Sequence, residues 1–179
     1  MESSHALPGV QLSWCHEANA AYAAAIAVAI ETGDPQRTYQ AALGATREAA
    51  VREVLFRASA EPPADYSHLE GWVLIALQSA FFQLLRASSL EAALIETVSA
   101  GGDTDTNGAI AGALLGAVHG REAIPQRWRA ALLSCRPLVE AGARKPRPRD
   151  FWPVDALELA EQLLACAIVS VRSIGGTQE

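Results

Sequence analysis

The sequence is poor in aromatic residues, at 6%, and in charged ones, at 19%, and it carries one methionine and three cysteines. Each shortage excludes something. Cys15, Cys135 and Cys166 are an odd number without C-x-x-C spacing, which argues against a disulfide framework or zinc site and fits reduced thiols in the cytoplasm. No Lys or Arg precedes Arg37, so a signal peptide would lack its basic n-region. The longest apolar stretches fall well short of the roughly 20 residues that a bilayer requires, so no membrane partner is expected. Fourteen basic residues against 20 acidic ones give a net charge of −6. That is the wrong sign for neutralising phosphate backbones, and nucleic acid is not expected as a partner.

Half of the 179 residues are hydrophobic. A chain of this length can bury roughly 70% of the surface it exposes when unfolded, enough for a core without staples. The expectation is therefore a single domain over residues 1–179, and its pattern is all-α, because apolar residues recur at helical spacing while strand alternation is nearly absent. Trp14 to Thr32 reads as an Ala-rich helix with Ala18, Tyr22, Ala25, Ile26, Ala29 and Ile30 as its apolar positions, stopped by Gly33-Asp34-Pro35. Pro35 to about Arg57 reads as a second helix, with Tyr39, Leu43, Val51, Val54 and Leu55 on its apolar side. Glu61 to Asp65 is a proline loop. Leu69 to Leu85 is apolar all round and reads as the central core helix. Ser88 and Glu91 form an S-x-x-E capping box for a helix to about Ala100, turning Leu90, Leu94, Ile95 and Val98 inward.

Asp103 to His119 reads as a further helix, with Gly108, Gly112, Gly116 and Gly120 at every fourth residue. Interior glycines each cost about 1 kcal/mol of helix propensity relative to alanine. Their alignment offsets that cost if the bare ridge lets another helix approach closely. A short helix follows Pro125 and carries Trp128, Leu132 and Leu133. Gly142 to Pro153 holds Arg144, Lys145, Arg147 and Arg149 and reads as a solvated connector or an anion-binding loop. Val154 to Val171 closes the chain as a helix, and Gly175 to Glu179 is expected to fray.

The one dense polar constellation is Gly101-Gly102-Asp103-Thr104-Asp105-Thr106-Asn107, which holds two of the six aspartates. Alternate carboxylates and a hydroxyl on a tight glycine turn can aim several oxygens at one hard cation. The same residues also suit a helix start, with Asp103 or Thr104 as cap and Asp105 complementing the positive end. His16, His68 and His119 have no evident partners, and no cysteine has the basic neighbourhood that thiol catalysis needs.

The stretch G-G-D-T-D-T-N-G-A-I-A-G-A-L-L-G-A-V-H-G, residues 101–120, closely resembles the C-terminal signature of the ADP-ribosylglycohydrolase family. Gly71-Trp72-Val73 before it and Ile124-Pro125-Gln126-Arg127-Trp128 after it agree with the family, and the resemblance covers roughly residues 1–135. It implies an all-α orthogonal multi-helix bundle whose site holds two divalent cations, Mg²⁺ and in some members Mn²⁺, beside a bound ADP-ribose. Asp103, Asp105 and Thr106 match the family's metal ligands, with Asp103 and Asp105 as the catalytic carboxylates. Gly101, Gly102 and Asn107 shape the loop against substrate. Ser4-His5 resembles the family's Thr-His element and makes His5 a substrate-binding candidate.

The family's G-D-A-x-G segment and Asp-Asp-Thr motif, which supply the other metal ligands, do not occur in this sequence, so the chain resembles the C-terminal half of the enzyme. Two carboxylates and a hydroxyl fall short of the roughly six oxygens that a hard dication takes. Three functional expectations follow: a hydrolase acting on an ADP-ribosylated protein side chain or small molecule; a non-catalytic, crystallin-like binding or structural module; or a split enzyme completed by a second chain.

Overall fold

The computed structural model describes residues 8–68 and 71–174, with side chains over 12–68 and 71–166. The described residues form eight α-helices and short 3₁₀ turns, with no strand. The all-α reading holds. His5, the helix start placed at Leu69 and the tail Gly175 to Glu179 lie outside the described residues. The chain divides into two compact units, residues 1–124 and 125–179. The division follows burial: every buried side chain among the described residues lies in the first unit.

The first unit holds α1 (Pro8–Thr32), α2 (Pro35–Ala45), α3 (Ala49–Ala58), α4 (Val73–Arg86), α5 (Leu90–Ser99) and α6 (Thr104–His119). Helix α4 touches all five others. It buries Leu74, Leu77, Phe81 and Leu84 together with Gln78, Ser79 and Gln83, so its interior is less purely apolar than its sequence suggests. Trp72, expected inside the helix, precedes it as N-cap. The face that α1 buries is a ridge of small residues, Ala18, Ala21, Ala25 and Ala29, each at most 1% exposed, while Ile30 points outward at 61%. Small side chains let the helix axes approach closely. Tyr22 then ties α1 to α6 by donating its hydroxyl proton to the Ile110 carbonyl at 2.7 Å.

The helix expected from Pro35 to Arg57 is broken at Thr46-Arg47-Glu48. The break is built from side chains. Thr46 donates to Glu17 Oε2 at 2.7 Å and accepts the Glu48 N–H, while Arg52 donates to the carbonyls of Leu43 and Thr46 that the ended helix leaves open. The cap of α5 is Ser89, not Ser88: its Oγ accepts the Ala92 N–H at 3.1 Å, which puts Glu91 at the second helical position, out of reach of a capping box. Ile95 and Val98, expected inside, are each about half exposed, while Ala93 and Thr97 are buried.

The glycine ridge of α6 is half used for packing. A Cβ on Gly108 would lie 3.3 Å from Val98, and one on Gly112 would lie 3.5 Å from Leu94, so α5 occupies this part of the ridge. Gly116 and Gly120 face open space, and Gly120 ends the helix.

The second unit contains α7 (Gln126–Leu133) and α8 (Ala156–Ile174), joined by irregular chain with three 3₁₀ turns. Arg136 lies over the Trp152 ring at 5.4 Å, and the Trp152 indole N–H donates to the Arg147 carbonyl at 2.9 Å. No helix among the described residues is long and apolar enough to cross a membrane.

Candidate metal centre

The acidic loop leaves α5 at Ala100 and enters α6 at Thr104. Asp103 caps α6: its Oδ1 accepts the Thr106 N–H at 3.3 Å, and its carbonyl accepts the Asn107 N–H at 3.0 Å. Asp105 Oδ1 accepts the same Thr106 N–H at 3.1 Å, so both carboxylates converge on one point above the helix end. The Asp103 carboxyl is held below the ordinary aspartate range, first by a hydrogen bond with the Asp105 carboxyl and then by Thr106. Each carboxylate accepts the Thr106 N–H through Oδ1, so capping of the helix start engages one oxygen of each.

Asp105 and Thr106 are exposed and Asp103 partly so, whereas Asn107 is only 4% exposed. Gly101 has open space where a side chain would stand, and Gly102 does not: a Cβ there would lie 2.0 Å from the Tyr66 carbonyl oxygen. Gly71 borders the site from the other side, since a Cβ on it would meet Asp103 Oδ2 at 3.5 Å. The next residue, Trp72, meets Trp14 of α1 edge to face at 5.8 Å between centroids. The first described turns of α1 thus reach the surroundings of the acidic loop. None of the roles of Tyr66, Gly71 and Trp14 is evident from local pattern, because each depends on a contact distant in sequence.

The donor set is all oxygen, two carboxylates and a hydroxyl, which suits a hard dication such as Mg²⁺ and not a soft one. It supplies three of the roughly six donors needed. Among the described residues no group of three or more His, Cys, Asp or Glu side chains is placed to hold a metal. The fit is that of one side of a shell.

The family model for ADP-ribosylglycohydrolase matches residues 13–165. This reaches about thirty residues beyond the span of the resemblance, roughly 1–135, takes in residues of both compact units, and begins after His5 while including His16. The ADP-ribosyl-[dinitrogen reductase] glycohydrolase of Rhodospirillum rubrum is 37% identical over 57 residues, which is 32% of this chain and 19% of that protein. The ADP-ribosylhydrolase ARH3 of Mus musculus is 49% identical over 41 residues, 23% of this chain and 11% of that protein. The chain thus matches a fifth or less of the length of these relatives. No solved structure matches it. With the acidic loop and α6 inside a match that covers most of its length, the chain belongs to the ADP-ribosylglycohydrolase family.

Proposed function

We propose that this chain supplies one side of a metal-dependent ADP-ribosyl hydrolase site, with Asp103, Asp105 and Thr106 as ligands to Mg²⁺ or Mn²⁺. The convergence of the two carboxylates on the Thr106 N–H at the start of α6 carries the reading. The bound cation would act as a Lewis acid and orient a water. The reaction breaks the bond between the anomeric carbon of ADP-ribose and its acceptor; a water oxygen takes the vacant position on carbon, and its proton passes to the acceptor. The rest of the shell would come from water or from a second chain.

His16 is a better candidate than His5 for reaching the ligand. It is exposed, lies within the matched span, and sits two residues from Trp14, which packs on Trp72 beside the loop. Cys15-His16 would then take the part that the resemblance gives to Ser4-His5. The cytoplasm suits the thiols at Cys15, which is half-buried, and Cys135, which is exposed.

The alternative is a non-catalytic, crystallin-like module that kept the bundle and part of the loop. One assay separates the two: release of ADP-ribose from ADP-ribosylated Arg and Ser peptides, with Mg²⁺ and with chelator. The enzyme reading expects Mg²⁺-dependent release that Asp103→Asn with Asp105→Asn lowers by about 100-fold or more, given the usual cost of losing electrostatic catalysis. Intact folding with no release, alone or with a lysate fraction from the source, would overturn the enzyme reading.

A further inference from the structure

Residues 59–68, between α3 and α4, are tied along α4 at three levels. Arg86 donates to the Ser59 carbonyl at 3.2 Å, Gln78 donates to the Glu61 carbonyl at 3.2 Å, and the Tyr66 hydroxyl donates to Ser79 Oγ at 3.2 Å. Pro63, Gln78 and Ser79 are buried, so two of these ties are made at the edge of the core. Asp65 then tightens the turn by accepting the N–H groups of Ser67 and His68. The segment lies against the acidic loop. The Tyr66 carbonyl fills the place where any residue but glycine at 102 would carry its Cβ, and Gly71, just ahead of α4, borders Asp103 Oδ2. Gly102 has φ of +66°, which an L side chain rarely adopts, so shape and backbone both demand glycine there.

We infer that this segment is a strap that sets the position of the Asp103–Thr106 ligand loop, with Tyr66 and Ser79 as positioning residues that act through Gly102. Gly102 holds protein, not substrate; the open face of the loop is at Gly101, where an added Cβ would meet no atom within 4 Å. The inference rests on the proposed metal reading for its functional meaning, and on the packing alone for its mechanical part.

Two measurements on the full chain keep these parts separable: bound Mn²⁺ counted by electron paramagnetic resonance, and hydrogen exchange at the Thr106 and Asn107 amides. Gly102→Ala should weaken Mn²⁺ binding by about 10-fold, the usual cost of losing an outer support of a metal ligand. It should also speed exchange at both amides while leaving mid-α4 amides protected. Gly101→Ala carries a similar backbone strain without the collision and should do less of both. Tyr66→Phe keeps the carbonyl and the ring, cuts the Ser79 tie, and should produce a smaller change in the same direction as Gly102→Ala; it serves if Gly102→Ala does not fold. Wild-type protein that binds no Mn²⁺ at millimolar concentration would overturn the metal reading, and the amide exchange would still decide the strap. Equal exchange in wild type, Gly102→Ala and Tyr66→Phe would overturn the strap whatever the metal does.

Discussion

Every buried side chain among the described residues lies between Ala18 and Leu115, whereas the segment from Pro125 to Cys166 has none. Charge divides along the same line: residues 1–124 hold fourteen acidic and six basic side chains, and residues 125–179 hold six acidic and eight basic. The first unit packs small residues on small residues, with the alanine ridge of α1 and the glycines of α6 letting helices close in around α4. The second leaves Leu132, Val139, Phe151, Leu159, Leu163 and Leu164 more than half exposed. Similar apolar content therefore makes a core in one place and not in the other. Helical spacing alone does not bury a residue; it needs facing elements at close range.

The largest test of this contrast removes one phenylalanine from each unit. Phe81 is fully buried on α4 and packs against Tyr39 at 6.3 Å between centroids. Phe81→Ala should cost about 3–5 kcal/mol, as cavity-forming substitutions in cores do. Phe151 is 73% exposed, and Phe151→Ala should stay within about 0.5 kcal/mol. Denaturant unfolding of both variants measures the difference. A cost at Phe151 approaching that at Phe81 would mean that a partner or second copy covers the second unit in solution.

The same contrast explains what can be read in advance. The helix-forming stretches, the Gly101–Asn107 constellation and the role of Asp103 at the start of α6 follow from residue type and short spacing, and the structure has each of them. Ile95 is half exposed against its spacing while Ala93 and Thr97 are buried, and Val98, also half exposed, still reaches the bare position at Gly108, so which positions are covered is selected by packing and not by hydrophobicity. The break at Thr46 is hidden because its reason lies in Glu17, 29 residues earlier. The meaning of Gly102 is hidden likewise, since it is set by the Tyr66 carbonyl. Local chemistry is legible in sequence; the choice among apolar faces and the demand for a particular glycine are settled by residues far along the chain.

Tyrosine ionisation reports on the first unit alone, because all three tyrosines, Tyr22, Tyr39 and Tyr66, lie in it. Burial pushes the Tyr22 hydroxyl up to about 12, from about 10 in the unfolded chain. Burial also raises Tyr66, helped by the charge of Glu96. The folded chain keeps these protons at a pH where the unfolded chain has lost them. Their contribution to stability is therefore full below pH about 10 and is lost as pH rises through about 12 for Tyr22. Discounted for a half-buried side chain, the Tyr22 share is about 1 kcal/mol. Tyr22→Phe should flatten the alkaline fall in melting temperature without abolishing it, since Tyr66 remains. A fall as steep as in wild type would show that the Tyr22 hydroxyl is not held against α6.

The smallest effect concerns how helices begin. In the first unit α2, α3, α5 and α6 start on side-chain caps from Asp34, Glu48, Ser89 and Asp103, whereas α4, starting at Trp72, and α7 of the second unit, starting at Pro125, have none. A cap matters where the N–H groups it satisfies have no better partner and the helix is anchored by packing. Ser89→Ala should cost about 0.5–1 kcal/mol, the low end for an exposed cap. Ser88→Ala should cost nothing measurable, because the Ala92 N–H bonds to Ser89. Thermal unfolding of the two neighbouring variants compares them directly. Equal costs would mean that Ser89 does not carry the cap alone.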